Sequence, residues 1–212
     1  METRENWKIR LKKPLIILGA FIAVLWLIEI VDVLFFDQAL NGLGVRPRTV
    51  TGLSGIVLMP LLHSGLGHLA ANTLPLFILG GIVLLRSWRD FVLVTVVTLL
   101  ITGVGLWLLG NGQAVYIGAS GLVFGYFGFL MVRAYFDRSW TSVVIAIVVF
   151  LLYGSLLWGI LPRNQPGVSW GAHFLGFAAG VLAAWLASRL RRSSSDESPV
   201  EEGNIADQIK IL

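Results

Sequence analysis

The chain has 212 residues, of which 56% are hydrophobic and only 13% are charged, and its mean hydropathy is +0.81. This composition excludes a soluble globular domain, because such a domain needs polar groups on its surface to face water. The lack of cysteine excludes a disulfide framework, a thiol nucleophile and a thiolate metal site. We therefore expect an integral membrane protein, and no residue pattern in it indicates a metal or a cofactor.

Six apolar runs of helical length follow one another along the chain and predict six transmembrane helices. They lie at 14–36, 69–85, 91–109, 120–132, 142–161 and 169–187. The first run is too long for a signal-peptide core and no cleavage site follows it, so we expect it to remain as a span. Residues 1–13 form a basic N-terminus, and residues 191–212 form a flexible polar tail. The expected organisation is a single six-helix domain at 14–190 between these two ends.

The positive charges record the orientation of the chain in the membrane. Of the Lys and Arg residues up to Arg192, twelve fall on the cytoplasmic side if the N-terminus lies inside, and only Arg46, Arg48 and Arg163 fall outside. This distribution satisfies the positive-inside rule, so both termini are expected in the cytoplasm. The basic balance is explained without a nucleic-acid partner, and none is expected.

The fourth apolar run begins at Ser120, inside the membrane. Ser120 lies 13 residues before Arg133, roughly 20 Å along a helix, whereas the hydrocarbon core is roughly 30 Å thick. The third run is long enough to reach the outer surface, so residues 110–119 are expected to descend again as a re-entrant loop. Irregular backbone at this depth needs protein or water around it. The sequence therefore predicts a water-filled cavity open to the outside.

Two other polar side chains share the depth of Ser120, and a third lies slightly higher. His173 and Asn72 lie roughly 24 Å and 21 Å above the arginines that end their helices, and His68 lies one turn above Asn72 on the same face. A hydroxyl nucleophile needs a base to take its proton, and a neutral imidazole supplies one near pH 7. We therefore expect a dyad of Ser120 and His173.

Rows of small residues predict that the fourth and sixth helices pack directly together. One row shares a face with His173 and includes Gly176 and Gly180, and the other consists of Gly118, Gly121, Gly125 and Gly128. The acidic residues near the spans, Glu29, Asp32 and Asp37, all lie at the outer end of the first helix. No carboxylate is therefore expected in the dyad, and Glu29 and Asp32 are interpreted as structural or interfacial.

An oxyanion formed at Ser120 needs hydrogen-bond donors. A helix that starts at Ser120 leaves the backbone N–H groups of its first turn, including that of Gly121, without partners. Asn72 and His68 can add side-chain donors. The glycines that flank Ala119 and Ser120 permit a tight turn and a close approach of substrate backbone.

Three motifs at these residues resemble the rhomboid family of intramembrane serine proteases. They are "GASG" at 118–121, "HLAAN" at 68–72 and "AHFLGFAAG" at 172–180, in family order. The resemblance implies an all-α, six-transmembrane-helix bundle of prokaryotic type in the plasma membrane. It assigns Ser120 as nucleophile, His173 as general base and then acid, and His68 and Asn72 to the oxyanion hole with the Ser120 N–H. Single-pass membrane proteins, cut at a small residue near a helix-destabilising stretch, are the implied substrates, and membrane lipids surround the enzyme.

The sequence departs from the family pattern at two places. Phe124 stands where many rhomboids carry a tyrosine under the histidine, and the first loop reads "GVRPRTVTGLSG" in place of a Trp-Arg pair. The role of His63 is left open between structure and function. An inactive rhomboid-like binder and a small transporter or channel are the alternatives. The intact Ser, His and H-x-x-x-N residues argue against the first, and the lack of repeated halves argues against the second.

Overall fold

The computed structural model describes residues 4–162 and 169–196. These residues form seven α-helices, three short 3₁₀-helices and the loops between them. The α-helices are α1 (Arg4–Phe35), α2 (Gly52–Leu58), α3 (Leu66–Arg86), α4 (Trp88–Leu109), α5 (Ser120–Asp137), α6 (Trp140–Tyr153) and α7 (Trp170–Asp196). The 3₁₀-helices are Ala39–Leu43, Met59–Leu61 and Gly154–Ile160, and the last of these continues α6.

Five of the described helical segments are long and apolar enough to cross a membrane. They are Pro14–Phe35, Leu66–Arg86, Trp88–Leu109, Trp140–Ile160 and Trp170–Ser193. The expectation of an all-helical, multi-pass membrane protein is therefore confirmed. The 18-residue helix α5 is not among the five, so the count of six spans and the re-entrant loop before α5 stay predictions. Residues 191–196, expected to belong to the C-terminal tail, are helical and continue α7, and residues 197–212 lie outside the described residues.

Helix α5 occupies the middle of the bundle and contacts α3, α4, α6 and α7. It packs closely against α7, where two glycines of α7 face the backbone of α5. A Cβ atom on Gly176 would overlap the carbonyl oxygen of Gly121, and one on Gly180 would overlap that of Gly125. Small residues allow helix axes to approach closely in a membrane, where van der Waals contact is the main source of association. This seam fixes the height and rotation of α7 relative to the start of α5.

The first loop, which joins α1 to α3, is anchored to the end of α4. Arg48 Nη1 donates to the carbonyl oxygens of Leu108 and Gly110, both at 3.0 Å. Those carbonyls have no partners within their own helix, so a basic side chain satisfies them. Val45 and Tyr116 also form an antiparallel bridge between this loop and the segment before α5. These contacts anchor the loop without the Trp-Arg pair.

A buried ion cluster joins the helices at the end of the bundle opposite Ser120. Arg133, with 1% of its side chain exposed, lies 2.7 Å from Asp137 and 3.0 Å from Asp90. The 2.7 Å contact is a hydrogen bond, and the Asp90 contact is an ion pair without hydrogen-bond geometry. Arg86 and Arg191 contact the same carboxylates from α3 and α7. The cluster therefore connects four helices, because α4 supplies Asp90 and α5 supplies Arg133 and Asp137.

Candidate active site

Helix α5 starts at Ser120 because a tight turn precedes it. Gly118 has a φ of 110°, a conformation that side chains disfavour. The turn is held on both sides of that residue, since Gly118 N–H donates to the Met59 carbonyl at 2.8 Å and Ala119 N–H donates to His63 Nε2 at 3.3 Å. Ser120 is thereby placed in the first turn of α5, at the wall of a cavity.

The structure brings Ser120 and His173 into hydrogen-bonding contact. His173 Nε2 lies 3.1 Å from Ser120 Oγ, and His173 Nδ1 lies 3.2 Å from the carbonyl oxygen of Gly159. A carbonyl can only accept, so Nδ1 carries the proton and the lone pair of Nε2 faces the hydroxyl. This is the tautomer that can remove a proton from Ser120. The backbone of Gly159 thus provides the orientation that a carboxylate provides in most serine hydrolases.

An aromatic ring stacks on one face of the His173 imidazole. Phe124, one turn after Ser120 on α5, stacks on the His173 imidazole with ring centroids 4.1 Å apart and an interplanar angle of 9°. Gly159 leaves room for this pair, since a Cβ there would lie 2.8 Å from Phe124 Cζ and 3.3 Å from His173 Nδ1. The sequence did not single out Gly159, which lies within an apolar run predicted to be helical. The only available signal was a glycine near the end of that run.

His68 and Asn72 face the same place from α3. A Cβ on Gly118 would lie 3.0 Å from His68 Nε2 and 3.9 Å from Ser120 Oγ, so both atoms approach one face of that glycine. The Asn72 amide donates one hydrogen to the carbonyl of His68 at 3.1 Å, which leaves its second hydrogen for another acceptor. Both side chains line the same cavity as Ser120.

These residues line a cavity of about 1040 Å³. Its wall includes the polar side chains of Ser120, His173, His68 and Asn72 and apolar ones such as Pro75. A space of this size holds several residues of an extended peptide. Within the described residues, no three His, Asp or Glu side chains come close enough together to hold a metal ion.

His63 lies directly behind the turn that carries Ser120. Its side chain is fully buried and its ring packs edge-on against His68, with centroids 5.2 Å apart. Burial, with a smaller contribution from His68, lowers the pKa of His63 to about 4, so the ring is neutral at neutral pH. A neutral ring is required, because Nε2 accepts the N–H of Ala119. The structure thus gives His63 a definite contact with the turn before Ser120.

Comparison with known proteins decides the family. The family model described as the Rhomboid domain matches residues 47–190, more than half of the chain. The chain belongs to the rhomboid family. The match includes Ser120, His173, His68 and Asn72, and it leaves α1 outside. Rhomboid membership indicates proteolytic activity within a membrane.

Individual relatives cover most of the chain. An uncharacterized protein of Mycobacterium tuberculosis is 40% identical over 195 residues, which span 86% of this chain and 81% of the relative. RHOMBOID-like protein 4 of Arabidopsis thaliana is 33% identical over 159 residues, 70% of this chain and 38% of the relative. A Bacillus subtilis protein provisionally named a rhomboid protease is 25% identical over 199 residues, 86% of this chain and 93% of the relative.

Proposed function

We propose that this rhomboid is an intramembrane serine endopeptidase with a catalytic dyad of Ser120 and His173. The observation that carries the proposal is the 3.1 Å contact between Ser120 Oγ and His173 Nε2. The Nδ1 of the same ring donates to the carbonyl oxygen of Gly159. A structural serine in a transmembrane helix commonly bonds to the carbonyl of the preceding turn. Ser120 has no such turn before it, because it starts its helix.

The mechanism follows from the positions of these groups. His173 Nε2 takes the proton of Ser120 Oγ while the oxygen attacks the scissile carbonyl carbon. The oxyanion receives hydrogen bonds from the first-turn N–H groups of Ser120 and Gly121 and from the side chains of His68 and Asn72. The imidazolium is stabilised by the Gly159 carbonyl and by the ring face of Phe124.

Peptide-bond cleavage then uses the same proton. His173 donates it from Nε2 to the leaving amine, the C–N bond breaks, and the acyl group remains on Ser120 as an ester. A water molecule attacks the ester carbonyl and gives its proton to His173 Nε2. Collapse of the second tetrahedral intermediate releases the carboxylic acid and returns the proton to Ser120 Oγ.

The substrates are proposed to be single-pass membrane proteins, cut in or beside their transmembrane segments. The peptide must be extended at the cleaved bond, so a helix-destabilising stretch with a small residue suits the cavity, where Gly118 and Ala119 let backbone come close. The proposal also includes six spans, with the short α5 inside the bundle. It places both termini in the cytoplasm and the protein in a prokaryotic plasma membrane. It is supported by the asymmetry of basic residues and by the family motifs.

Labelling with a fluorophosphonate tests the proposal directly. The purified protein in liposomes is expected to react at Ser120, whereas Ser120→Ala is expected to remain unlabelled. His173→Ala should react far more slowly, because the hydroxyl loses its base. Equal labelling of wild type and Ser120→Ala, or none in correctly folded wild type, would contradict the proposal and favour an inactive binder or a transporter.

A further inference from the structure

The outer end of α1 contacts the segment that leads into His68. Glu29, with 1% of its surface exposed, accepts the backbone N–H of Gly65 through Oε1 at 2.7 Å. Gly65 has a φ of 110° and immediately precedes α3, whose first turn contains His68. A glycine in this conformation has wide backbone freedom of its own. The short contact with a buried carboxylate therefore restricts the backbone just before His68.

The neighbouring peptide N–H acts on the ring of His68. Ser64 N–H donates to His68 Nδ1 at 3.4 Å, and Ser64 Oγ lies 3.2 Å from the same nitrogen. A backbone N–H can only donate, so Nδ1 holds the lone pair and Nε2 carries the proton. His68 Nε2 is the nitrogen that approaches Gly118, on the face of that glycine where Ser120 Oγ also lies. Two successive N–H groups thus connect Glu29 and His68 to one short stretch of backbone.

We propose that Glu29 is a positioning residue, which holds the Ser64–Gly65 backbone so that His68 keeps its proton on Nε2 and directs it at the oxyanion. The inference rests on the proposed function, in which His68 is an oxyanion donor. It extends the site to α1, which lies outside the residues matched by the rhomboid family model. It also replaces the interpretation of Glu29 as a structural or interfacial acid with a specific task.

Two other side-chain hydrogen bonds among the described residues of α1 do not involve this backbone, and they provide controls. Trp26 Nε1 donates to Thr73 Oγ1 at 3.1 Å, one turn below Glu29. Asp32, buried to the same extent as Glu29, accepts the N–H of Leu40 at 3.0 Å. Changing Trp26 tests whether a general loosening of α1 against α3 is enough to lower activity. Changing Asp32 tests whether loss of any buried acid in α1 is enough. The effect proposed for Glu29 would follow from neither.

Kinetics with a transmembrane substrate in liposomes test the first consequence. Glu29→Met removes the acceptor at similar size and is expected to lower kcat about 10- to 100-fold with KM nearly unchanged, because a donor is misplaced. Glu29→Gln keeps an acceptor oxygen and should retain most of the activity. Trp26→Phe and Asp32→Asn should leave kcat near wild type, and adding Glu29→Met to His68→Ala should cause little further loss.

Nitrogen-15 NMR of the histidine rings tests the proposal without any proteolysis. The chain has only three histidines, so His68 can be assigned by comparison with His68→Gln in liposomes. We expect the Nε2–H tautomer in wild type and Glu29→Gln, and a mixture of tautomers in Glu29→Met. Glu29→Asp shortens the side chain by one methylene and moves the carboxylate away from the Gly65 N–H, so we expect an intermediate spectrum. This variant replaces Glu29→Met in the test if Glu29→Met does not fold.

The two measurements separate this inference from the proposed function. If wild type cleaves substrate and Glu29→Met or Glu29→Asp matches its kcat and its His68 spectrum, the inference is wrong and the protease stands. If wild type does not cleave, the ring spectra still decide whether Glu29 sets the His68 tautomer. A kcat loss in Trp26→Phe as large as that in Glu29→Met would also overturn the inference, since general helix packing would then explain both.

Discussion

Gly159 and His173 are joined by a hydrogen bond of 3.2 Å between the backbone carbonyl and Nδ1. The bond comes from the 3₁₀-helix after α6 and reaches the first turn of α7. It fixes both the tautomer and the direction of the imidazole with no ionisable partner. A buried carboxylate would carry a large desolvation cost within a bilayer, whereas a carbonyl orients the ring at a smaller one.

Replacing the nucleophile or the base should abolish proteolysis. Ser120→Ala and His173→Ala are each expected to lower kcat on the order of 10⁶-fold, because the two residues act as one unit. Cleavage of a transmembrane substrate in liposomes measures the loss, and thermal unfolding checks that the fold is kept. Persistent activity in either variant would refute the dyad.

Removing one oxyanion donor should leave weak activity. Asn72→Ala is expected to lower kcat by about 10²- to 10³-fold with nearly unchanged KM, because the interaction forms only in the transition state. It should still accept a fluorophosphonate at Ser120, more slowly than wild type. His68→Ala should be impaired to a comparable or smaller degree. If Asn72→Ala turned over substrate like wild type, Asn72 would not be an oxyanion donor, and its role would be an interhelical hydrogen bond.

Adding one methyl group to the α5–α7 seam should destabilise the protein. In Gly176→Ala the new Cβ meets the carbonyl of Gly121, so unfolding should become easier by about 1 to 3 kcal/mol. Gly180→Ala should behave similarly, and a leucine at either position should be worse. Gly171→Ala, on the same helix with its nearest new contact at 3.9 Å, is the matched control. Equal melting temperatures for Gly176→Ala and Gly171→Ala would show that the seam tolerates the volume.

A methyl group at Gly159 should disturb the histidine without removing it. The Cβ of Gly159→Ala would meet Phe124 Cζ at 2.8 Å and His173 Nδ1 at 3.3 Å. Displacement of the stacked rings is expected to lower kcat about 10- to 100-fold. Gly154→Ala lies in the same 3₁₀-helix and has its nearest new contacts with Phe150, so it should keep wild-type kcat. Equal kcat values for Gly159→Ala and Gly154→Ala would contradict the role of Gly159 in orienting His173.

Acid should destabilise the fold through His63. Its folded-state pKa of about 4 lies below the ordinary value of 6.5, so between these values the unfolded chain binds the additional proton. Stability therefore falls as pH decreases through this window, by up to about 3 kcal/mol for this group. His63→Asn keeps an acceptor but cannot titrate, and its melting temperature should fall less between pH 7 and pH 4.5. Parallel pH curves for the two proteins would contradict this assignment.

Much of the architecture could be predicted from the sequence because the membrane restricts it strongly. Each run had to form its own backbone hydrogen bonds, so hydropathy located the α-helices other than α2. Helix α1 begins at Arg4, well before its predicted start at 14, and α7 ends at Asp196, well after its predicted end at 187. The depth of a polar side chain in the membrane followed from the rise per residue of its helix, counted from the arginine at the cytoplasmic end. This measure placed Ser120, His173 and Asn72 at one level, with His68 slightly higher. The three motifs indicated the rhomboid family to which the chain belongs.

Contacts made by backbone atoms or by distant partners were decided only in three dimensions. Any residue could supply the carbonyl that orients His173, so Gly159 had no signature in the sequence. Glu29 and Gly65 are 36 positions apart, and the charges that surround Arg133 come from several helices. Their pairing depends on how the helices rotate against one another, which close packing at glycines such as Gly176 determines. Hydropathy gives the length and depth of a helix, but only tertiary packing sets which of its atoms meet.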